Sequence, residues 1–248
     1  MCHSYDSRPP FAPSIGKVKE HGSMLLKSQD GTTVLAYEAL PETPNGSALV
    51  ILPDVRGVHA YYQDLAQRLA EAGYAAVVID YYGRTTDDTN RDESFDFKEH
   101  LAVLESANVA RDADAAAAYL KDAHPEAAVT VFSVGFCFGG SQSWRLAATS
   151  TAFAGNIGFY GQPKLVADVL PELHAPLLLL LAGNDVVTGQ EEFNTFATEL
   201  SASGKPYELK VYDGAPHSFF DRSYDEHRGA CADAWTRLLS FTDTYATA

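Results

Sequence analysis

The chain has 248 residues, of which 46% are hydrophobic and 21% charged, enough apolar material for one sizeable core at the length of a single α/β enzyme domain. A formal net charge of −15 works against non-specific attraction to nucleic acid or an anionic membrane, so any anion site has to be assembled locally from a few basic side chains. Cys2, Cys137 and Cys231 are odd in number and far apart, which argues against a disulfide framework and for a reducing compartment. Residues 1–10 lack the basic-then-apolar order of a signal peptide. The longest strongly apolar run, 177–182, is too short to cross a bilayer, and a cytoplasmic protein is expected.

Residues 1–22 read as an N-terminal arm and 23–248 as one domain. Cys2-His3 suggests metal ligation, but no second ligand pair stands at zinc-like spacing and no His-Glu-x-x-His helix occurs, so a surface arm is the better reading. Residues 24–28 and 33–39 flank Gln29-Asp30-Gly31 and predict a β-hairpin with an Asp-Gly turn. A strand at 48–52, a helix over 61–72 ended by Gly73, and a strand at 75–79 follow in βαβ order, which implies parallel pairing through right-handed crossovers. An Ala-rich helix over 105–123 leads to a strand at 129–134 and a helix at 141–148. Strands at 154–160, 177–182 and 207–212 then alternate with helices at 191–201 and 230–241. About eight strands, the first pair antiparallel, give the layout of an α/β-hydrolase sheet with helices on both faces.

The densest chemical signal is Gly135-Phe136-Cys137-Phe138-Gly139-Gly140, at the junction of a β-branched run and a helix. It reads as a nucleophile elbow carrying cysteine in place of serine, with glycines where strand and helix backbones pass close together. A helix N-terminus there favours a thiolate at Cys137 and an oxyanion beside Phe138. The competing reading is a buried structural cysteine, the common fate of that residue type. Asp185 lies just after the 177–182 strand and His217 just after the 207–212 strand, which puts nucleophile, acid and histidine in the chain order this fold uses. Asp185 could instead cap the next helix, and His217 could be an ordinary loop histidine. In the catalytic reading His217 takes the thiol proton, Asp185 holds its tautomer and Cys137 attacks a carbonyl carbon.

In these motifs the chain resembles the dienelactone hydrolase (carboxymethylenebutenolidase) family. The resemblance runs from about Gly31 onward, through Pro53-Asp54-Val55-Arg56-Gly57-Val58, Gly73-Tyr74-Ala75-Ala76-Val77, the cysteine elbow, Gly183-Asn184-Asp185 and His217-Ser218-Phe219. It implies a cofactor-free, mostly cytosolic enzyme that opens enol-lactones with a Cys, Asp and His triad and no large cap domain, and since no metal-ligand cluster is visible in the sequence, no metal is expected. It further implies backbone N–H donors at Val55 and Phe138 and a substrate-carboxylate arginine at Arg222, one residue out of the family's register.

The chain departs from that pattern at Asp54, where well-known members carry a glutamate that holds the resting thiol and accepts its proton. Asp54 therefore reads either as a shortened version of that carboxylate or as a loop residue bonding nearby amides. Arg56 stands where such members have an aromatic, and together with Arg84 and Arg91 it is a candidate for anion recognition. A thiol leaves a tetrahedral intermediate more readily than an alkoxide does. Cysteine therefore points to activated esters or enol-lactones, with general carboxylesters or thioesters as the alternative substrates and a silent binding protein as the alternative of another class.

Overall fold

Residues 7–13 and 16–246 are described in a computed structural model. Eight strands form one sheet: β1 (Val18–Lys27), β2 (Thr33–Pro41), β3 (Ser47–Leu52), β4 (Ala75–Ile79), β5 (Thr130–Phe136), β6 (Asn156–Phe159), β7 (Leu177–Asn184) and β8 (Tyr207–Pro216), in the spatial order β1-β2-β4-β3-β5-β6-β7-β8. β1 pairs antiparallel with β2, and β2 with β4. The remaining pairs are parallel. Chain order reverses around β3, which lies between β4 and β5, and in open α/β sheets such a switch point puts the ligand site at the carboxyl ends of these strands.

Every residue of β3, β4 and β5 is buried, as expected of central parallel strands covered on both faces. One face packs against α1 (Ala60–Glu71) and α6 (Arg228–Tyr245), with Tyr61, Tyr62, Leu65 and Leu69 meeting Leu49, Ile51 and Phe136, and Trp235, Leu238 and Phe241 extending the layer. The other face takes α3 (Ser106–Ala123), α4 (Phe138–Thr149) and α5 (Gln190–Ser203). There Val109, Ala113, Ala116 and Leu120 lie against Val50 and Val77, and Trp144, Phe193 and Phe196 against Leu177, Leu179 and Leu181. Apolar spacing of three and four residues explains each helical stripe. Gly73, at φ 96°, ends α1 in the left-handed conformation that only glycine adopts cheaply. The fold is that of an α/β-hydrolase, without a large cap domain among the described residues.

Several boundaries differ from the sequence reading. β1 starts at Val18, so residues 18–22, expected in an arm, belong to the sheet. As an edge strand it is largely exposed and carries polar residues on both faces, which blurs the alternation. Ser7, Pro9, Pro10 and Ala12 are buried against the domain, while Cys2 and His3 lie outside the described residues. The short helix α2 (Phe97–Ala102) was not expected; its start is marked by Asp96, whose side chain accepts from the Lys98 N–H. No helix among the described residues is long and apolar enough to cross a membrane.

Candidate active site

Cys137 occupies the turn between β5 and α4 at φ 55° and ψ −116°, a conformation that costs a non-glycine residue about 1–3 kcal/mol and persists only where the surroundings impose it. Its N–H donates to the Phe159 carbonyl at 3.0 Å, and its carbonyl accepts from the Ser141 N–H at 3.2 Å. A Cβ on Gly135 would stand 1.9 Å from the Gly139 carbonyl oxygen, and one on Gly139 would stand 2.1 Å from that of Leu52. Strand, helix and the neighbouring loop therefore touch backbone to backbone, and the turn has no slack in which to relax. Cys137 is the residue that caps the amino end of α4, where the helix dipole favours negative charge.

His217 directly follows β8 and Asp185 directly follows β7. The imidazole Nδ1 lies 2.8 Å and 3.0 Å from the two Asp185 carboxylate oxygens, and the carboxylate is fully buried. Since an ionised carboxylate only accepts, Nδ1 carries the proton and Nε2 is the basic atom. Asp185 also accepts from the Val187 and Thr188 N–H groups at 2.7 Å and 3.2 Å, so it shapes its own turn while it orients the histidine. Among the described residues, the non-glycine positions at positive φ are Cys137, Tyr160 and Ser218. Ser218 adjoins His217, and the Tyr160 ring lies 4.9 Å from the imidazole. Tyr160 itself follows Phe159, whose carbonyl holds the Cys137 N–H. Backbone strain in the described chain is thus concentrated around this one constellation.

The loop after β3 forms the adjoining wall. Asp54 is fully buried and accepts from the Arg56 backbone N–H at 2.9 Å, from Arg56 Nε at 3.1 Å through each oxygen, and from Nη2 at 2.9 Å. The Asp54 charge is therefore compensated by a guanidinium, and the backbone bond expected of a loop-shaping residue is present as well. The N–H groups of Val55 and Phe138 donate to no acceptor among the described residues. Both are backbone donors, one on this loop and one at the first residue of α4.

The four candidate arginines separate cleanly. Arg56 stays on the loop, its guanidinium about 6 Å from the Tyr61 and Tyr62 rings. Arg84, expected to meet substrate, is instead held by Asp30 at 2.5 Å and Asp112 at 2.6 Å, with Ser28 and Thr32 beside them, at the β1–β2 turn. Arg91 is buried in a bidentate pair with Asp80, both contacts at 2.9 Å. Arg222, the carboxylate arginine implied by the resemblance, is exposed and lies over the Phe11 ring at 4.7 Å, in a groove with Arg228, Cys231 and Trp235. For Arg84, Arg91 and Arg222 a partner farther off along the chain claims the side chain, which a linear reading cannot show.

Four residues here were not singled out as site residues by the sequence: Tyr62 in the first turn of α1, Tyr81 and Tyr160 just after β4 and β6, and Ser218 beside His217. The Tyr62 and Tyr81 hydroxyls are pushed well above the usual phenol range by burial, with Asp54 adding to the effect, so both remain neutral. Tyr81 also feels Cys137, which places it near the elbow.

This arrangement is the frame of an α/β-hydrolase, and the comparisons with known proteins narrow it. Residues 34–246 match the model of the dienelactone hydrolase family, and the chain belongs to that family. A candidate carboxymethylenebutenolidase from Salmonella typhi is 28% identical over 95% of this chain and 93% of its own length. A candidate 2-oxo-3-(5-oxofuran-2-ylidene)propanoate lactonase from Bradyrhizobium is 30% identical over 86% of this chain and 90% of its own. The crystal structure of a candidate dienelactone hydrolase from Klebsiella pneumoniae superposes with a TM-score of 0.80 at 30% identity, covering 91% of this chain and 99% of that one. The chain is accordingly a hydrolase of the carboxylic ester and lactone class.

Proposed function

We propose that this enzyme hydrolyses activated esters or enol-lactones by acyl transfer through Cys137. His217 Nε2 takes the thiol proton, and the sulfur adds to the substrate carbonyl carbon. The carbonyl oxygen becomes an oxyanion received by the Val55 and Phe138 N–H groups, which have no acceptor to give up. Collapse expels the leaving oxygen, to which the imidazolium returns its proton, and leaves a Cys137 thioester. Water, deprotonated by the same histidine, then releases the acid and restores the thiol. Asp185 holds the histidine tautomer throughout. The observation that carries this reading is the gathering of left-handed backbone at Cys137, Tyr160 and Ser218 around the His217–Asp185 pair, since strain of this kind persists where function requires it.

A thiolate is a better leaving group than an alkoxide, so the intermediate goes forward only when the substrate's oxygen leaves well. An enolate does, as does the thiolate of a thioester. Arg56, which unlike Arg84 and Arg222 sits on the loop beside the donors, supplies a local cation for an anionic substrate within an acidic protein. Asp54 holds that guanidinium in place, and its compensated charge suits it to shaping the loop. A panel of an enol-lactone, a thioester, an aryl ester and a simple alkyl ester tests the reading. The first three should turn over at least about a hundredfold faster than the last, with a burst of leaving group that Cys137→Ala abolishes. Equal rates across the panel, or a burst that survives Cys137→Ala, would sink it.

A further inference from the structure

We infer that the consecutive tyrosines after β4, Tyr81 and Tyr82, are positioning residues for the oxyanion donors, binding the loop after β3 to the nucleophile turn. The inference rests on the reading above in taking Val55 and Phe138 as those donors. Tyr81 Oη donates to the Pro53 carbonyl at 2.7 Å, and Tyr82 Oη donates to the Val55 carbonyl. The Tyr81 ring meets the Phe138 ring edge-on at 5.4 Å. One dipeptide therefore touches both halves of the donor pair.

The peptide geometry turns these contacts into an aim. A trans peptide points its N–H opposite to the carbonyl of the same plane. The Asp54 carbonyl is turned toward the Gly57 N–H at 3.2 Å, so the Val55 N–H of that plane faces the other way. The next plane is held at both ends, its carbonyl by Tyr82 Oη and its N–H by the Asp54 carboxylate. With both flanking planes fixed, Val55 has no dihedral freedom left, and its N–H points where no protein acceptor stands. Removing Tyr82 Oη frees one of those planes and lets the donor wander.

The dipeptide is itself anchored. Asp80 is fully buried; its Oδ2 accepts from the Tyr82 N–H at 2.8 Å and its Oδ1 from the Val58 N–H at 3.2 Å. Arg91 neutralises that carboxylate through both oxygens. Tyr81 and Tyr82 are buried, and burial keeps the Tyr81 hydroxyl a neutral donor.

Tyr82→Phe tests the assignment, with Tyr74→Phe as its control. Tyr74 stands at the amino end of β4 and loses a comparably buried hydroxyl contact, to Thr242 at 2.7 Å, far from the donors. Tyr82→Phe should lower kcat on an aryl ester about tenfold with KM within about twofold, because a misaimed donor is felt in the transition state. Binding of an alkyl trifluoromethyl ketone, whose carbonyl becomes an oxyanion when Cys137 adds, should weaken by a similar factor. Alkylation of Cys137 by iodoacetamide, which displaces iodide and forms no oxyanion, should keep its rate. Tyr81→Phe should behave alike with a smaller effect, and serves if Tyr82→Phe does not fold. Equal kcat in Tyr82→Phe and Tyr74→Phe, or loss of alkylation rate in step with kcat, overturns the inference. Cys137→Ala in the same assay separates the two failures, since retained turnover there would overturn the catalytic reading itself.

Discussion

Cys137 and Cys231 are both buried, at 4% and 3% exposure, and both stand in or beside the first turn of a helix. They differ in what the backbone does with them. Cys231 lies inside α6 with its sulfur against the Phe219 carbonyl at 3.3 Å, and burial pushes its thiol up to about 11. Cys137 lies ahead of its helix, in a left-handed turn at the carboxyl end of a central strand. A helix N-terminus and low exposure are common to both, so neither distinguishes the cysteine to which we assign the nucleophile's role. Position at the strand–helix break is what differs, and there the N–H of the next residue, Phe138, meets no acceptor among the described residues.

The largest expected contrast is in turnover. Cys137→Ala should lower kcat for an aryl ester by about a thousandfold or more, whereas Cys231→Ala should stay within about twofold while losing roughly 1–2 kcal/mol of stability. Similar losses in both variants would erase the distinction. The backbone contrast comes next, read by urea unfolding. Gly135→Ala drives a methyl into the Gly139 carbonyl at 1.9 Å and should cost about 3 kcal/mol or more. Gly229→Ala, in the first turn of α6 with no neighbour within 4 Å, should instead stabilise by about 0.5–1 kcal/mol.

Alkylation sharpens the comparison further. A thiol at about 11 is roughly 0.1% thiolate at pH 8, so iodoacetamide should modify Cys137 at least about a hundredfold faster than Cys231, as followed by peptide mass mapping. The smallest effect is on alkaline stability. The Cys231 thiol stays protonated in the folded state to about 11, while the unfolded chain loses that proton near the ordinary thiol value. The stability tied to it is complete below that value and is lost as pH rises toward 11, by about 2–3 kcal/mol. Cys231→Ala should remove that slope, and an unchanged slope would show that the thiol does not titrate as described.

How much of this was legible in the sequence follows the range of the forces involved. The βαβ order, the buried central strands, the elbow glycines and the strand-end positions of Asp185 and His217 are written locally, in periodicity and in turn residues, and they were readable. The extent of β1 was blurred by its edge position, whereas the helix N-terminus expected at the Cys137 elbow is where α4 begins. The arginines were less legible for a different reason. Arg84 and Arg91 have partners at separations of 28 and 11 residues, and nothing local distinguishes a guanidinium bound to a neighbour from one held open for substrate. Asp54 was half legible: its turn chemistry is local, and so is its Arg56 partner two residues on, but the Tyr61 and Tyr62 rings beside that guanidinium come from α1.

The buried Asp80–Arg91 pair has a consequence for timescales. The stretch between β4 and α2 is polar and lacks helix or strand, the composition of a segment that ordinarily opens in nanoseconds to microseconds. Arg91 instead inserts into the interior, with its guanidinium 4.2 Å from the Phe95 ring and its charge on Asp80. Withdrawing Arg91 leaves the buried Asp80 carboxylate without its cation, a penalty of about 3–5 kcal/mol, which slows the event by roughly two to four orders of magnitude. On the timescale of a catalytic cycle the segment therefore behaves as wall and not as door.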